Sequence, residues 1–579
     1  MNTRQSIRPL IKLLMPLLSV AVLAPAAGAA TYPKADNEVT LNRPDSWAGG
    51  TAPGDGDIAL WDSTVTEVIG PALGDDLSWL GLQITKPGGA VYLGTDNDPN
   101  TLTLGASGID ASASKVPVYL RAPVTLAAHQ TWSAGSSGIS IGVPLSVSTV
   151  TNGGFTLTIG AGSVSLLDNL TGTGGLTNSG AGTVVIIGEC TYTGDTTANG
   201  KIQLGNAGNT GSISGASVVT STNGGIFQFS RSDDFTFANT ITGDVNIAKY
   251  GAGQTVTLTG NTTYTGSTRI YFGTLSVSSI NSVKDNASLG TVHSESSKLG
   301  APATNVDGFI SFGTVSDTGQ LTYTGTGETT DRGIHCGGTT GGAVVDQSGT
   351  GLLKFTHAVV AAGEGSKVLT LQGSTAGTGE IAGAIADNSD VNKTGVTKAG
   401  SGTWTLSGVN TYTGATTIHA GVLLVNGSIG ATTTSVNGGT LGGSGSVGDV
   451  AFTELGGTLS PGASAGTTGI LSAGAINLNS AGKVTVALEL NGLTEGDGYD
   501  QIKASGPVNL GTNAMLKLTL GFKPAAGKAF TVIKSSGNTP PTGTFKGQAE
   551  GSAFNVSGTN FKISYRGGKG GDVVLTAAP

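Results

Sequence analysis

Charge is scarce in this chain: Asp, Glu, Lys and Arg make up 11% of its 579 residues. The Lys/Glu-rich, 3.6-period pattern of surface helices is nearly missing, which excludes a helical bundle or helical solenoid. Basic runs are also missing and the formal charge is −8, so nucleic acid is excluded as a partner. Cysteine is limited to Cys190 and Cys336, too few for a disulfide framework. Those two lie in different repeats, and a bridge needs Cα atoms within about 7 Å, so free, buried thiols are expected. After the N-terminus no segment is apolar enough to span a bilayer, which takes about 20 residues. The five histidines, His129, His293, His335, His357 and His419, show no H-E-x-x-H or other ligand spacing. No phosphate loop or dinucleotide fingerprint occurs. We therefore name no catalytic, cofactor-binding or metal-binding residue.

What is abundant is glycine, 97 residues, together with Thr, Ser, Val and Leu. The pattern they make is clearest from Gly400 to Val425, GSGTWTLSGVNTYTGATTIHAGVLLV. Trp404 and Leu406 alternate with Thr403, Thr405 and Ser407; Thr416 alternates with Ile418; Leu423 and Val425 close the unit. Period-two alternation broken by glycine marks three short strands, each with one buried face. Glycine at the breaks suits bends that need positive φ. Gly251–Val277 and Gly180–Leu204 repeat the pattern, always with four residues from the strand-ending glycine (188, 260, 408) to the tyrosine (192, 264, 412). A fourth, eroded copy keeps Thr322-Tyr323-Thr324-Gly325. Length varies only at turns, as in stacked coils, where a unit that cannot bury its own apolar face is covered by its neighbours. The three tyrosines are accordingly expected inside.

These copies resemble the autotransporter-associated β-strand repeat, or passenger-associated transport repeat, of secreted bacterial β-helix proteins. The copy starting at Gly400 follows the family pattern nearly throughout. The first copy departs from it with Glu189-Cys190 before Thr191 and with Ala198 where Ile or Val is usual. The resemblance implies an all-β, elongated right-handed parallel β-helix (solenoid) with N- and C-terminal β caps, about 20–25 residues per rung. It does not imply a reaction. At about 4.8 Å per rung the coil would reach on the order of 100 Å.

In order, residues 1–29 read as a signal peptide, with Arg4, Arg8 and Lys12 before an apolar centre and Ala27-Gly28-Ala29 at the cleavage site. Those three basic residues leave with no acid, so the remainder carries −11. Residues 30–175 are expected to form an N-terminal cap and first rungs. Trp47, Trp61, Trp79 and Trp132 fall there, as a cap over open strand edges or, alternatively, as a sugar-stacking platform. Residues 176–433 hold the repeats, with Asn281–Pro302 a polar excursion from one corner. Residues 434–579 are expected to be further rungs and a C-terminal β cap.

Several other patches carry charge or a motif fragment without the spacing its chemistry needs. Asp55, Asp57 and Asp62 lack a calcium loop's spacing and read as a solvated turn. Asp331-Arg332 has the charge types of a polysaccharide lyase but stands alone, and reads as a surface salt bridge or turn. Gly496-x-Gly498-x-Asp500 and Gly567-Gly568-Lys569-Gly570-Gly571-Asp572 resemble calcium nonapeptides. Such sites need consecutive copies, so these read as turns, with calcium binding at Asp500 or Asp572 left open. G-x-S-x-G occurs at 138–142 and 462–466 without the helix an elbow requires.

The expectation is an exported, non-enzymatic passenger-type protein, extracellular or on the outer cell surface. Its role would be structural or adhesive, its repeats promoting sequential folding during export. Surface glycans or other envelope components and an export machinery are the expected partners. The alternatives are a β-helix polysaccharide lyase or hydrolase and a carbohydrate-binding protein. The family's C-terminal translocator barrel has no counterpart in the sequence, so another exporter or anchor is expected.

Overall fold

A computed structural model describes residues 28–142, 148–166, 169–251, 253–464 and 466–579. Residues 1–27, which hold nearly all of the expected signal peptide, lie outside that set.

Alternation along the chain becomes an inside and an outside. Thr403–Leu406 buries Trp404 and Leu406 and turns Thr403 and Thr405 outward. Each strand pairs in parallel with one a full coil away. From Thr31 to Leu520 the named ladders are all parallel. In the middle of the chain three strands recur per coil: Ile310–Phe312, Gly319–Tyr323 and Glu328–Thr330 are followed by Ile334–Cys336, Ala343–Gln347 and Gly351–Phe355 stacked on them in that order. The molecule is a three-faced parallel β-helix.

The inside is a set of registered columns. On one face Leu353, Gly379, Trp404, Leu423, Leu441, Leu459, Val486 and Leu516 succeed one another in register. Gly379 lies under the indole of Trp404; a Cβ there would meet the ring at 2.4 Å. Small against large keeps the column filled, as close packing requires, and burying the indole contributes roughly 2–3 kcal/mol.

The repeat is not three sides of one coil. Its first and third strands stack on each other: Thr183 pairs with Lys201, Thr255 with Thr274 and Thr403 with Val422. One copy is therefore a full coil of 18 or 19 residues plus the first strand of the next, shorter than the 20–25 expected. Its third side shrinks to the tyrosine corner, where the in-register contacts Val409–Ser428–Ser446 are isolated bridges. The 24-residue coil from Ile310 to Ile334 has three true strands.

That tight corner explains glycine differently from a φ requirement. Gly408, Gly427 and Gly445 stack one above another. A Cβ on Gly427 would meet the Gly408 carbonyl oxygen at 2.1 Å, and one on Gly445 the Gly427 oxygen at 1.9 Å. None of the three has positive φ. Close approach of backbones excludes a side chain there.

The ends are closed. At the start, residues 34–50 fold over the first coil, and Trp47 meets Trp61 and Trp79 edge-on at 5.7 and 5.8 Å. At the finish, Ala529–Ser535, Asp572–Ala578, Thr559–Gly567 and Ala553–Val556 pair antiparallel.

Candidate binding surface

The tyrosines are interior. Tyr192, Tyr264 and Tyr412 are fully buried. A buried hydroxyl needs a partner, and each finds the Thr four residues on: Thr196 at 2.6 Å, Thr268 at 2.8 Å and Thr416 at 2.7 Å. In the eroded copy residue 327 is Gly, and its backbone N–H donates to the Tyr323 hydroxyl. A second recurring device went unread in the sequence. Two residues before the glycine that opens each copy sit Asn178, Lys249 and Lys398, all buried. Their nitrogens donate to carbonyls of the turn, such as Gly182, Gly251 and Gly400. Burial pushes the Lys249 and Lys398 amines down to about 8.

Asp331-Arg332 is not a surface pair. Arg332 is wholly buried. Its Nε donates to Gly308 O at 2.9 Å and its Nη1 to Leu299 O at 2.6 Å and Ile280 O at 3.2 Å. Asp331 accepts from Val283 N and Glu328 from Ile280 N and Asn281 N. The charged run and the polar excursion, read apart in the sequence, are one unit: Glu328, Asp331 and Arg332 clamp residues 280–308 to the coil. Burial lowers the Arg332 pKa and raises that of Glu328. A guanidinium wholly buried, donating to three carbonyls and the Thr268 hydroxyl, is out of reach of a uronic carboxylate.

The remaining candidates are equally occupied. Trp61, Trp79 and Trp132 are buried, which removes them as a stacking platform. Asp57 and Asp62 cap their turns through Gly54 N and Thr64 N. Asp500 is fully buried and accepts from Gly469 N and Glu489 N; burial pushes its carboxyl up to about 7. Asp572 accepts from Ser535 N. Among the described residues no group of three or more His, Cys, Asp or Glu could hold a metal ion. His419 is exposed, and His335 and His357 flank Phe309. Both thiols are free and buried, and burial pushes each up to about 12. Ser140 lies in the strand Ile139–Ile141, not at an elbow.

One column pointing away from the core runs unbroken through twelve strands, from Tyr92 through Gln228, Ala248, Arg269, Ser311 and His335 to Val360, with Gln203, Gln228 and Ala248 buried within it. Arg269 is its one arginine. Beside it Tyr250, 44% exposed, meets Phe272 at 4.6 Å and Tyr271 at 5.9 Å. A groove of about 240 Å³ lies among Ile226, Gln228, Asn246, Arg269 and Tyr271.

Fold and core define a class: a repeat-built parallel β-helix with registered apolar columns inside. The comparisons agree with the repeats. Residues 176–200, 247–277 and 396–425 match the passenger-associated-transport-repeat model. Over 143 residues, 24% of this chain, the sequence is 32% identical to the adhesin BmaC autotransporter of Brucella suis biovar 1 (strain 1330). The match covers 4% of that protein's length. The Haemophilus influenzae Hap adhesin aligns with 86% of this chain and 64% of its own at 11% identity, with a TM-score of 0.26 too low to carry argument. No described helix is long and apolar enough to cross a membrane, which says nothing of β-barrels.

Proposed function

We propose that this chain is an exported passenger whose work is adhesive: it presents a long, rigid outer surface beyond the cell, and reads as non-enzymatic. The observation that carries this is the occupancy of the interior, where each buried charged group singled out above is spent on the backbone. Local similarity to an adhesin autotransporter supports the same reading. Because each coil hydrogen-bonds to the one before it, folding can advance from one end as the chain leaves an export machinery. Envelope components or surface glycans are the partners we propose. Residues 1–29 would be the signal peptide, 30–175 the cap and first rungs, 176–433 the repeat coil and 434–579 the closing rungs and cap.

The test is to display the chain on a non-adherent bacterial strain and to fractionate those cells. Adhesion to host-cell or glycan-coated surfaces, with the chain in the outer or extracellular fraction, is expected. A chain retained in the cytoplasm, or displayed without any gain in adhesion, contradicts the reading.

A further inference from the structure

The second and third repeats share a scaffold position by position, so their outward residues can be compared directly. Lys249 matches Lys398, Tyr264 matches Tyr412, Thr268 matches Thr416 and Ile270 matches Ile418; all are buried. Four outward positions differ together. Where the third copy has Ala399, Thr417, His419 and Ala420, the second has Tyr250, Arg269, Tyr271 and Phe272. The first copy has Ser179, Thr197 and Asn199 at the first three of these positions. The coil closes with Ala, Ser, Thr, Asn or His at these sites, so packing does not account for the set of three aromatic rings and an arginine.

The four residues converge. Tyr250 contacts both other rings, and Arg269 and Tyr271 line the adjoining groove. Arg269 is exposed and makes no hydrogen bond or ion pair among the described residues. An unpaired guanidinium is matched by a planar carboxylate, which it can hold through two parallel hydrogen bonds. The exposed Tyr250 ring and the half-buried Tyr271 and Phe272 rings offer an apolar surface, with a polar tip on each tyrosine, suited to a sugar's C–H face. The groove, at about 240 Å³, is smaller than the ~300–1,000 Å³ usual for drug-sized ligands. A protein partner would need about 800 Å² of complementary surface, but the column on either side offers Gln228, Ala248 and Ser311. The net charge of −8 opposes a long polyanion.

We propose that Tyr250, Arg269, Tyr271 and Phe272 form a binding site for a single acidic sugar, such as a terminal residue of a glycan, with the carboxylate on Arg269 and the ring against the aromatic cluster. The proposal rests on the adhesive reading and names the chemistry such a surface would recognise.

The test uses the full chain with 3′-sialyllactose and trigalacturonate as acidic probes and lactose as the neutral control. At least one acidic probe should bind ten-fold or more tightly than lactose. Arg269→Ala should abolish that preference, and Tyr250→Ala and Tyr271→Ala should each weaken binding at least ten-fold with thermal midpoint and far-UV circular dichroism unchanged. Grafting Ala399→Tyr, Thr417→Arg, His419→Tyr and Ala420→Phe together should add a second equivalent site. Lactose binding as well as both acids, or the three single variants binding like the parent, overturns the proposal. In the display assay, a parent and an Arg269→Ala/Tyr271→Ala variant that adhere equally would sink this site and leave the adhesive reading standing. A parent that never adheres would sink the adhesive reading whatever the sugars do.

Discussion

The second and third repeats are the same device put to different use. Around the third, coils of 18 or 19 residues follow one another from Thr403 through Val422 to Thr440 with no outward Tyr, Phe or Arg. Around the second, the coil carries an aromatic and arginine patch outside and then releases an excursion that returns under the Arg332 clamp. Inward columns, tyrosine corner and turn-capping lysine are common to both. The contrast teaches that this coil tolerates decoration wherever the corner and the columns are left intact.

The comparison can be broken most severely at the clamp. Arg332→Met strands the carbonyls of Gly308, Leu299 and Ile280 and leaves Glu328 and Asp331 without their buried cation. A loss of about 3–5 kcal/mol is expected for such a deletion. Denaturant titration should show it, with protease cutting first between residues 281 and 308 while the third repeat stays protected.

Next comes the stacked corner of the third repeat. Gly427→Ala forces a methyl to 2.1 Å from the Gly408 oxygen and should cost about 1–3 kcal/mol. Gly208→Ala, where a Cβ meets nothing within 4 Å, should stay within about 0.5 kcal/mol. Equal effects at the two sites would remove close backbone approach as the reason for corner glycines.

A smaller effect is sensitive to pH. Asp387 holds the third repeat's corner through Thr394 N and Thr413 N, both 2.9 Å, and the Thr413 hydroxyl. Burial works against its charge, but these donors and Lys393 outweigh burial and pull the carboxyl down to about 2. A depressed acid stabilises the fold above its unfolded value near 3.8 and loses that contribution as pH falls toward 2. Asp387→Asn should cost about 1.5 kcal/mol at neutral pH and flatten the stability profile between pH 4 and 2. Tyr412→Phe should cost less than Asp387→Asn, about 1 kcal/mol, since it leaves the Thr416 hydroxyl without its partner.

Much of the architecture was legible because strand alternation and glycine spacing are local. Thr403 to Leu406 declares its inner face in four letters, and the tyrosines declare theirs by a fixed offset from a glycine. Stacking is not local. Nothing between Gly400 and Val425 says that the third strand returns onto the first, so the three strands were legible but their stacking was not. Arg332 misled for the same reason: its acceptors lie 24 to 52 residues away, and a charged pair in a polar neighbourhood reads as surface. The aromatic patch escaped notice because Tyr250 precedes the copy and Arg269 closes on it only when the coil turns once.

The central claim is registered parallel stacking, and it can be measured across many rungs at once. Thr255, Thr274, Gln320, Val344, Thr370, Thr397, Thr417 and Ser435 form one outward column. Spin labels at Thr255→Cys and Ser435→Cys are seven rungs apart. At about 4.8 Å per rung, double electron–electron resonance should return a single narrow distance near ~34 Å, allowing for the label arms. A broad distribution, or a distance set by two separately packed globules, would contradict the account.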